Sequence, residues 1–283
     1  MSVISETRTP GRSDAVRPTC KVTGARVLRA EWAKLWSLRS TWITFGVALL
    51  FLLGFGLIAA ARYEPATAGT MGPPGGHMDL SRANAVDLAL FGVGFAQLAL
   101  GILGVLVTAG EYSTGTIRST LAAVPRRLPV LWSKAAVHGV VALLVGTAGV
   151  FAAFKAGGHM IVGTPAELAL SDTGVLRSLL AAGLYLGMIG VIGVALGALL
   201  RSTAGAVAVL VAALLLVPGL VSLLPSSWES DVSRYLPSNA GESMFALKQA
   251  ADTLTPGAGL AVLTSWTLLA LAGAAWRLKR GDA

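Results

Sequence analysis

The side chains best suited to chemistry cluster between residues 110 and 127. Glu111 stands beside Tyr112, Gly115 precedes Thr116, and Arg118 and Leu121 lead to the turn Pro125-Arg126-Arg127. No nucleophile in this stretch has a base beside it. What it offers is recognition: a carboxylate, a phenol, hydroxyls and three guanidinium groups around a glycine turn. Such a loop could seat in a cleft on a soluble partner. The alternative is a basic loop that only sets membrane topology.

A second segment stands ahead of the first apolar run. At 100° per residue, Leu28, Trp32, Leu35 and Trp36 share one face of residues 25–41, and Arg26, Arg29 and Lys34 lie opposite. Glu31 and Arg39 belong to the same stretch. The pattern predicts an amphipathic helix lying in the membrane interface, tryptophans toward the acyl boundary and basic groups toward headgroups. A plain juxtamembrane anchor is the other reading.

Searches for other chemistry return nothing to build on. His77 and His159 fall in different loops with no cysteine nearby, whereas a zinc site needs about four ligands at defined spacing. No Ser-His-Asp arrangement stands out, and no G-x-x-x-x-G-K-[ST] phosphate loop occurs. No catalytic, cofactor-binding or metal-ligating residue is therefore expected. His138, inside an apolar run, reads as a satisfied core histidine or as part of a proton relay.

The elements that must position these segments follow from composition. Of 283 residues, 54% are hydrophobic and 13% charged, against roughly 25% charged in a soluble domain. The mean hydropathy is +0.72. Six apolar runs approach the roughly 20 residues of a span: 42–61, 86–109, 131–154, 175–200, 204–224 and 258–276. The expectation is an all-α polytopic membrane protein with six transmembrane helices. Only Arg201, Ser202 and Thr203 part the fourth run from the fifth, so a very tight helical hairpin is expected there.

The net charge of +8 fits basic cytoplasmic loops better than a nucleic-acid footprint. Basic residues concentrate in the N-terminal tail, in the loop after the second run, at Arg201 and at Arg277, Lys279 and Arg280. Arg62, Arg82, Lys155, Arg177, Arg234 and Lys248 fall on the other side. Both termini are then cytoplasmic: a disordered basic tail over 1–24 and a short C-terminus over 277–283. Cys20, the single cysteine, has no intrachain partner, and no apolar stretch precedes it, so neither a lipoprotein signal nor a removable signal peptide is expected.

Within the runs, Lys134, Lys155 and Arg177 sit near the ends, where they can snorkel. No Asp or Glu lies well inside, which weighs against an ion-coupled carrier. Gly183 and Gly187, and Gly193 and Gly197, have the four-residue spacing that lets helices approach closely, within one chain or across a dimer. Pro218-Gly219 should kink or end the fifth helix. In the loop Pro225–Gly257, residues 239–253 read as a short amphipathic helix with Met244, Leu247 and Ala251 on one side.

The loop Glu111-Tyr112, Gly115-Thr116, Arg118, Leu121 and Pro125-Arg126-Arg127 resembles the coupling segment of bacterial ATP-binding-cassette type-2 (ABC-2) permease subunits, which carry such a series after their second span. Glu31 to Ser40 resembles that family's connecting helix, and Pro225–Gly257 is similar in placement to its re-entrant region. The resemblance covers nearly the whole chain. It implies a non-enzymatic permease subunit in the cell membrane, exporting a hydrophobic or amphipathic substrate. It also implies a second permease subunit, surrounding lipid, and two ATPase subunits that carry the ATP and Mg. A polytopic protein of another class, an ion-coupled carrier or a membrane scaffold, is the alternative, and a membrane-embedded hydrolase is a weaker one.

Overall fold

The computed structural model describes residues 23–65, 80–123, 127–249 and 253–280. Among them the chain is helical, with no strand. That is the expected answer for runs this apolar, because away from water only a helix satisfies each backbone N–H and C=O within its own segment.

In chain order the helices are α1 (Gly24–Ser37), α2 (Arg39–Ala61), α3 (Ala85–Leu90), α4 (Val93–Ser113), α5 (Thr116–Ala123) and α6 (Leu128–Gly158). Then come α7 (Val175–Leu200), α8 (Thr203–Val211), α9 (Val217–Val221), α10 (Ser226–Ser233), α11 (Pro237–Phe245) and α12 (Pro256–Arg280). Six stretches are long and apolar enough to cross a membrane: α2, α3 with α4, α6, α7, α8 through α9, and α12. The six expected spans are all present. Residues 1–22, which hold Cys20 and most of the expected tail, lie outside the described residues, as do Pro125, Arg126, His77 and Ala251.

The centre of the bundle is α7, packed against α4, α6, α8, α11 and α12. Its glycines explain how it sits there. A Cβ on Gly193 would run into the Gly101 carbonyl of α4, and one on Gly197 would lie 2.9 Å from the Val105 carbonyl. On the adjoining face, Gly183 meets Thr147 and Gly187 would place a Cβ 2.9 Å from that of Leu143, both on α6. Both glycine pairs therefore serve contacts inside the chain, so that three helix backbones approach to within side-chain-free distance.

Local chemistry sets the breaks. The second span opens on a capping box, with the Asn84 side chain accepting from the Val86 and Asp87 amides and Asp87 reaching back to Asn84. It then breaks at Phe91 and Gly92, where the α2 backbone at Phe51 passes too close for any side chain. The hairpin between α7 and α8 turns on Arg201 in the left-handed region, φ 55°, and Ser202 caps α8 by accepting from Gly205 at 3.3 Å. In the fifth span the helix widens over Ala212–Leu216, just ahead of Pro218, and continues as α9. A widened turn absorbs the amide that proline lacks, so the expected kink takes this form.

The helix expected over 239–253 forms earlier, as α11, and stops at Phe245. Pro237 starts it in the first turn. Arg177 ends it by donating to the Met244 carbonyl at 2.9 Å and the Ala246 carbonyl at 2.8 Å. Met244 is buried as expected, whereas Leu247 packs from beyond the helix end. The helix lies wedged between the Tyr185 ring under Gly241 and the backbone of α12 at Gly259.

A side chain at Gly193 has no room, so Gly193→Leu is expected to lose roughly 1–3 kcal/mol, the usual range for an overpacked core. Gly46→Leu, in open space, is expected to be neutral. Fluorescence-detected size exclusion of the heated, detergent-solubilised variants checks both.

Candidate functional site

The two segments singled out in the sequence meet at one end of the bundle. The helix ahead of the spans forms as α1, but its buried face runs through Val27, Glu31 and Leu35. Leu28 and Trp32, expected to share the apolar face with Leu35, are exposed. The rotation follows from Glu31, whose carboxylate is drawn under the bundle by a lysine. Trp36 lies between Trp32 and Trp42 in tilted contacts, with ring centres 5.5 Å and 4.6 Å away. Leu38, in extended conformation, separates α1 from α2, which begins at Arg39.

That lysine is Lys134 of α6. Its ammonium lies 2.6 Å from Glu31 Oε2 and 2.9 Å from Glu111 Oε1. Lys34 closes the figure, 3.1 Å from Glu31 Oε1 and 3.1 Å from Glu111 Oε1. It also donates to the Thr120 hydroxyl of α5 at 3.4 Å. The result is a four-membered ring of alternating charge, Glu31–Lys34–Glu111–Lys134, contributed by α1, α4 and α6. Side-chain exposure is 3% for Glu31 and 4% for Lys134, so both are desolvated and each depends on the other. Lys134 was expected to snorkel from a span end. It is buried instead, because two carboxylates supply indoors the partners that snorkelling would seek outside.

Lys34 stays partly open to solvent. Burial pulls its pKa down, but the charges and hydrogen bonds of Glu31 and Glu111 together outweigh that, and the net direction is upward from 10.5. A raised lysine pKa stabilises the fold fully below the unfolded value and loses that contribution as pH rises through the folded one.

Around the ring the remaining loop residues fall into place. Gly115, at φ 74°, takes the left-handed conformation that turns α4 into α5. The Thr114 and Thr116 hydroxyls are 3.0 Å apart and exposed. Tyr112 lies under the Arg201 guanidinium, 5.2 Å from ring centre to carbon, which ties the α7–α8 hairpin to the same end. Arg127 donates to the Leu278 carbonyl at 3.4 Å, bringing the last turn of α12 there too. Arg118 and Leu121 lie on α5. A cleft of about 540 Å³ opens beside the ring, between α1 and the α4–α5 turn, edged by the hydroxyls of Ser37, Thr114, Ser119 and Thr120.

His138 is fully buried one turn beyond Lys134, with Nε2 at 3.2 Å from the Leu100 carbonyl. That contact satisfies one ring nitrogen, as the core reading expects, while the buried Nδ1 has no hydrogen-bond partner among the described residues. Sequence reasoning missed the pairing of Lys134 with Glu31 and Glu111. The signal was present: a lysine at a span end and two carboxylates in the flanking segments. Among the described residues no group of three or more His, Cys, Asp or Glu could hold a metal ion.

No protein-family model matches the chain, and no curated protein matches it.

Removing one member of a buried pair costs about 3–5 kcal/mol, because the other charge is left alone. Lys134→Met is therefore expected to reduce the folded fraction sharply, and Lys134→Met with Glu31→Gln to recover part of the loss. Thermal unfolding of the two variants in detergent measures the difference.

Proposed function

We propose that this chain is the membrane-spanning permease subunit of an ABC exporter, with both termini cytoplasmic. The observation that carries the reading is the convergence of α1, the α4–α5–α6 loop, the α7–α8 hairpin and the end of α12 on one end of a six-helix bundle. Convergence of the first and last described helices supports both termini on one side, and the excess of basic residues makes that side the cytoplasm. The cell membrane is then the compartment. Here α1 serves as the connecting, interface-lying helix, with exposed Leu28 and Trp32 toward lipid and Glu31 holding it to the bundle. The exposed turn Thr114-Gly115-Thr116 is the surface offered to an ATPase, and Arg118, Arg126 and Arg127 follow it in the sequence.

The chain itself carries no phosphate loop, so ATP and Mg would be bound and ATP hydrolysed on two partner subunits. A second permease subunit, the same chain or another, completes the pathway. The widely exposed apolar side chains of α2, α8–α9 and α12, such as Leu50, Leu216 and Leu269, face lipid or that second subunit. Transport depends on rigid transmission: a push on α5 reaches α6 and α1 through Thr120, Lys34 and Lys134 without a flexible joint. The transported species would be hydrophobic or amphipathic, consistent with spans whose polar groups at depth are few.

An ion-coupled carrier would need a carboxylate at depth that exchanges protons. The carboxylates of the ring are each engaged by ammonium groups, which speaks for a structural role.

Arg118→Glu combined with Arg126→Glu should insert normally yet weaken capture of a phosphate-loop ATPase, by roughly tenfold for a loss of about 1.4 kcal/mol. Affinity purification of the tagged chain from its native membranes, followed by ATPase assay of the co-purifying subunit, checks this. If wild type brings down no ATPase, the exporter reading fails.

A further inference from the structure

A second cavity lies at the opposite end of α4. Gln97, on its floor, is 14 residues before Glu111, about 21 Å along the helix. The cavity measures about 400 Å³ and opens between the α3–α4 break, α7 and α11. Its floor is a buried, satisfied pair: the Tyr185 hydroxyl donates to Gln97 Oε1, and Gln97 Nε2 donates to the Gly94 carbonyl at 3.0 Å. Phe91 and Phe245 form walls, and the Phe245 ring is 5.6 Å from that of Tyr185.

Two carboxylates face this space, Asp87 and Glu242, and among the described residues no Lys, Arg or His lines it. Asp87 is bound to Asn84, accepting from its amide at 3.2 Å and its side chain at 2.6 Å. The Glu242 carboxylate has no hydrogen bond or ion pair among the described residues. Arg177 donates to the Met244 and Ala246 carbonyls at the end of α11 and to the Ser178 hydroxyl. Lys248 lies past the end of α11 and is exposed. Glu242 is exposed at the mouth of the cavity. Desolvation by the protein around it first, and then the charge of Asp87, push its pKa up.

The geometry points to this cavity as a binding site for a small organic cation, an amine or quaternary ammonium with an apolar body, held by Glu242 against the faces of Phe91, Phe245 and Tyr185. The chemistry selects that class. Aromatic faces attract a cation whose hydration is weak, most strongly where water is excluded. A hard metal ion needs about six oxygen ligands, and the cavity offers one uncommitted carboxylate among rings. Its volume falls within the range of small-molecule sites, mostly apolar with a few placed polar groups. The site stands on its own geometry and does not rest on the exporter reading. If both hold, it lies on the outer side of the pathway and marks cations as ligands there.

The test uses the full chain in lipid nanodiscs with no ATPase present. Equilibrium dialysis measures benzyltrimethylammonium and its neutral carbon isostere, neopentylbenzene. Wild type is expected to bind the cation saturably and more tightly than the isostere. Glu242→Gln should weaken the cation about tenfold while leaving the isostere unchanged, and Glu242→Lys, which places an ammonium in the cavity, should abolish cation binding. Glu229→Gln, on α10, should bind as wild type does. Equal affinity for cation and isostere in wild type, or an unaltered cation affinity in a monodisperse Glu242→Gln, would overturn the site. Neither result touches the exporter reading, which the co-purification experiment decides separately.

Discussion

A lysine cannot be buried in an apolar bundle without its counter-charge, and the rest of this architecture is arranged around that rule. Lys134 sits on a spanning helix with almost no exposure. Desolvating an ammonium costs several kcal/mol even after relaxation, so α6 can pack only when carboxylates are delivered to it. Glu111 comes from the end of α4. Glu31 comes from α1, a helix with no spanning role of its own. The ring they form with Lys34 therefore fixes α1 against the bundle and holds the α4–α6 loop in one arrangement. Burial of charge of this kind is weak evidence of net stability; what it does here is join α1, α4 and α6 at one end of the bundle.

Shape provides the second constraint. Around α7 the backbones of α4 and α6 approach without intervening side chains, because Gly193, Gly197, Gly183 and Gly187 present none. Close approach in lipid is favoured by van der Waals contact rather than by expulsion of water. The polar ring at one end and the glycine seams along the middle leave α2, α8–α9 and α12 at the periphery, their outer faces apolar and uncovered within the chain. Those faces are where lipid and a second subunit would lie.

The spans were legible in the sequence because length and hydropathy alone decide them, and the tight hairpin at Arg201 followed from three residues between two runs. The glycine spacing announced close packing, but not whether it lay within the chain or between chains. Amphipathicity announced α1, on which Leu28 and Trp32 stay exposed, but periodicity ranks Glu31 as polar and cannot see that it has a buried partner 103 residues away. The same blindness to long-range pairing hid the role of Lys134. It hid also the second cavity, whose Asp87, Tyr185 and Glu242 come from three separate elements. In the loop before the last span, the helix end was misplaced because Arg177, far off in sequence, terminates it.

The α4–α6 loop, α1 and the bundle thus act as one body only if the ionic ring is what joins them. Reversal of every charge in the ring tests that most directly. Lys134→Glu alone places three carboxylates around one lysine, and the fourfold exchange Glu31→Lys, Lys34→Glu, Glu111→Lys and Lys134→Glu restores alternation with the partners reversed. Thermal unfolding of the purified protein in detergent is the readout. The account predicts that the single change abolishes the folded fraction and that the exchange recovers most of it. A stable Lys134→Glu protein, or an exchanged protein no more stable than the single variant, would contradict it.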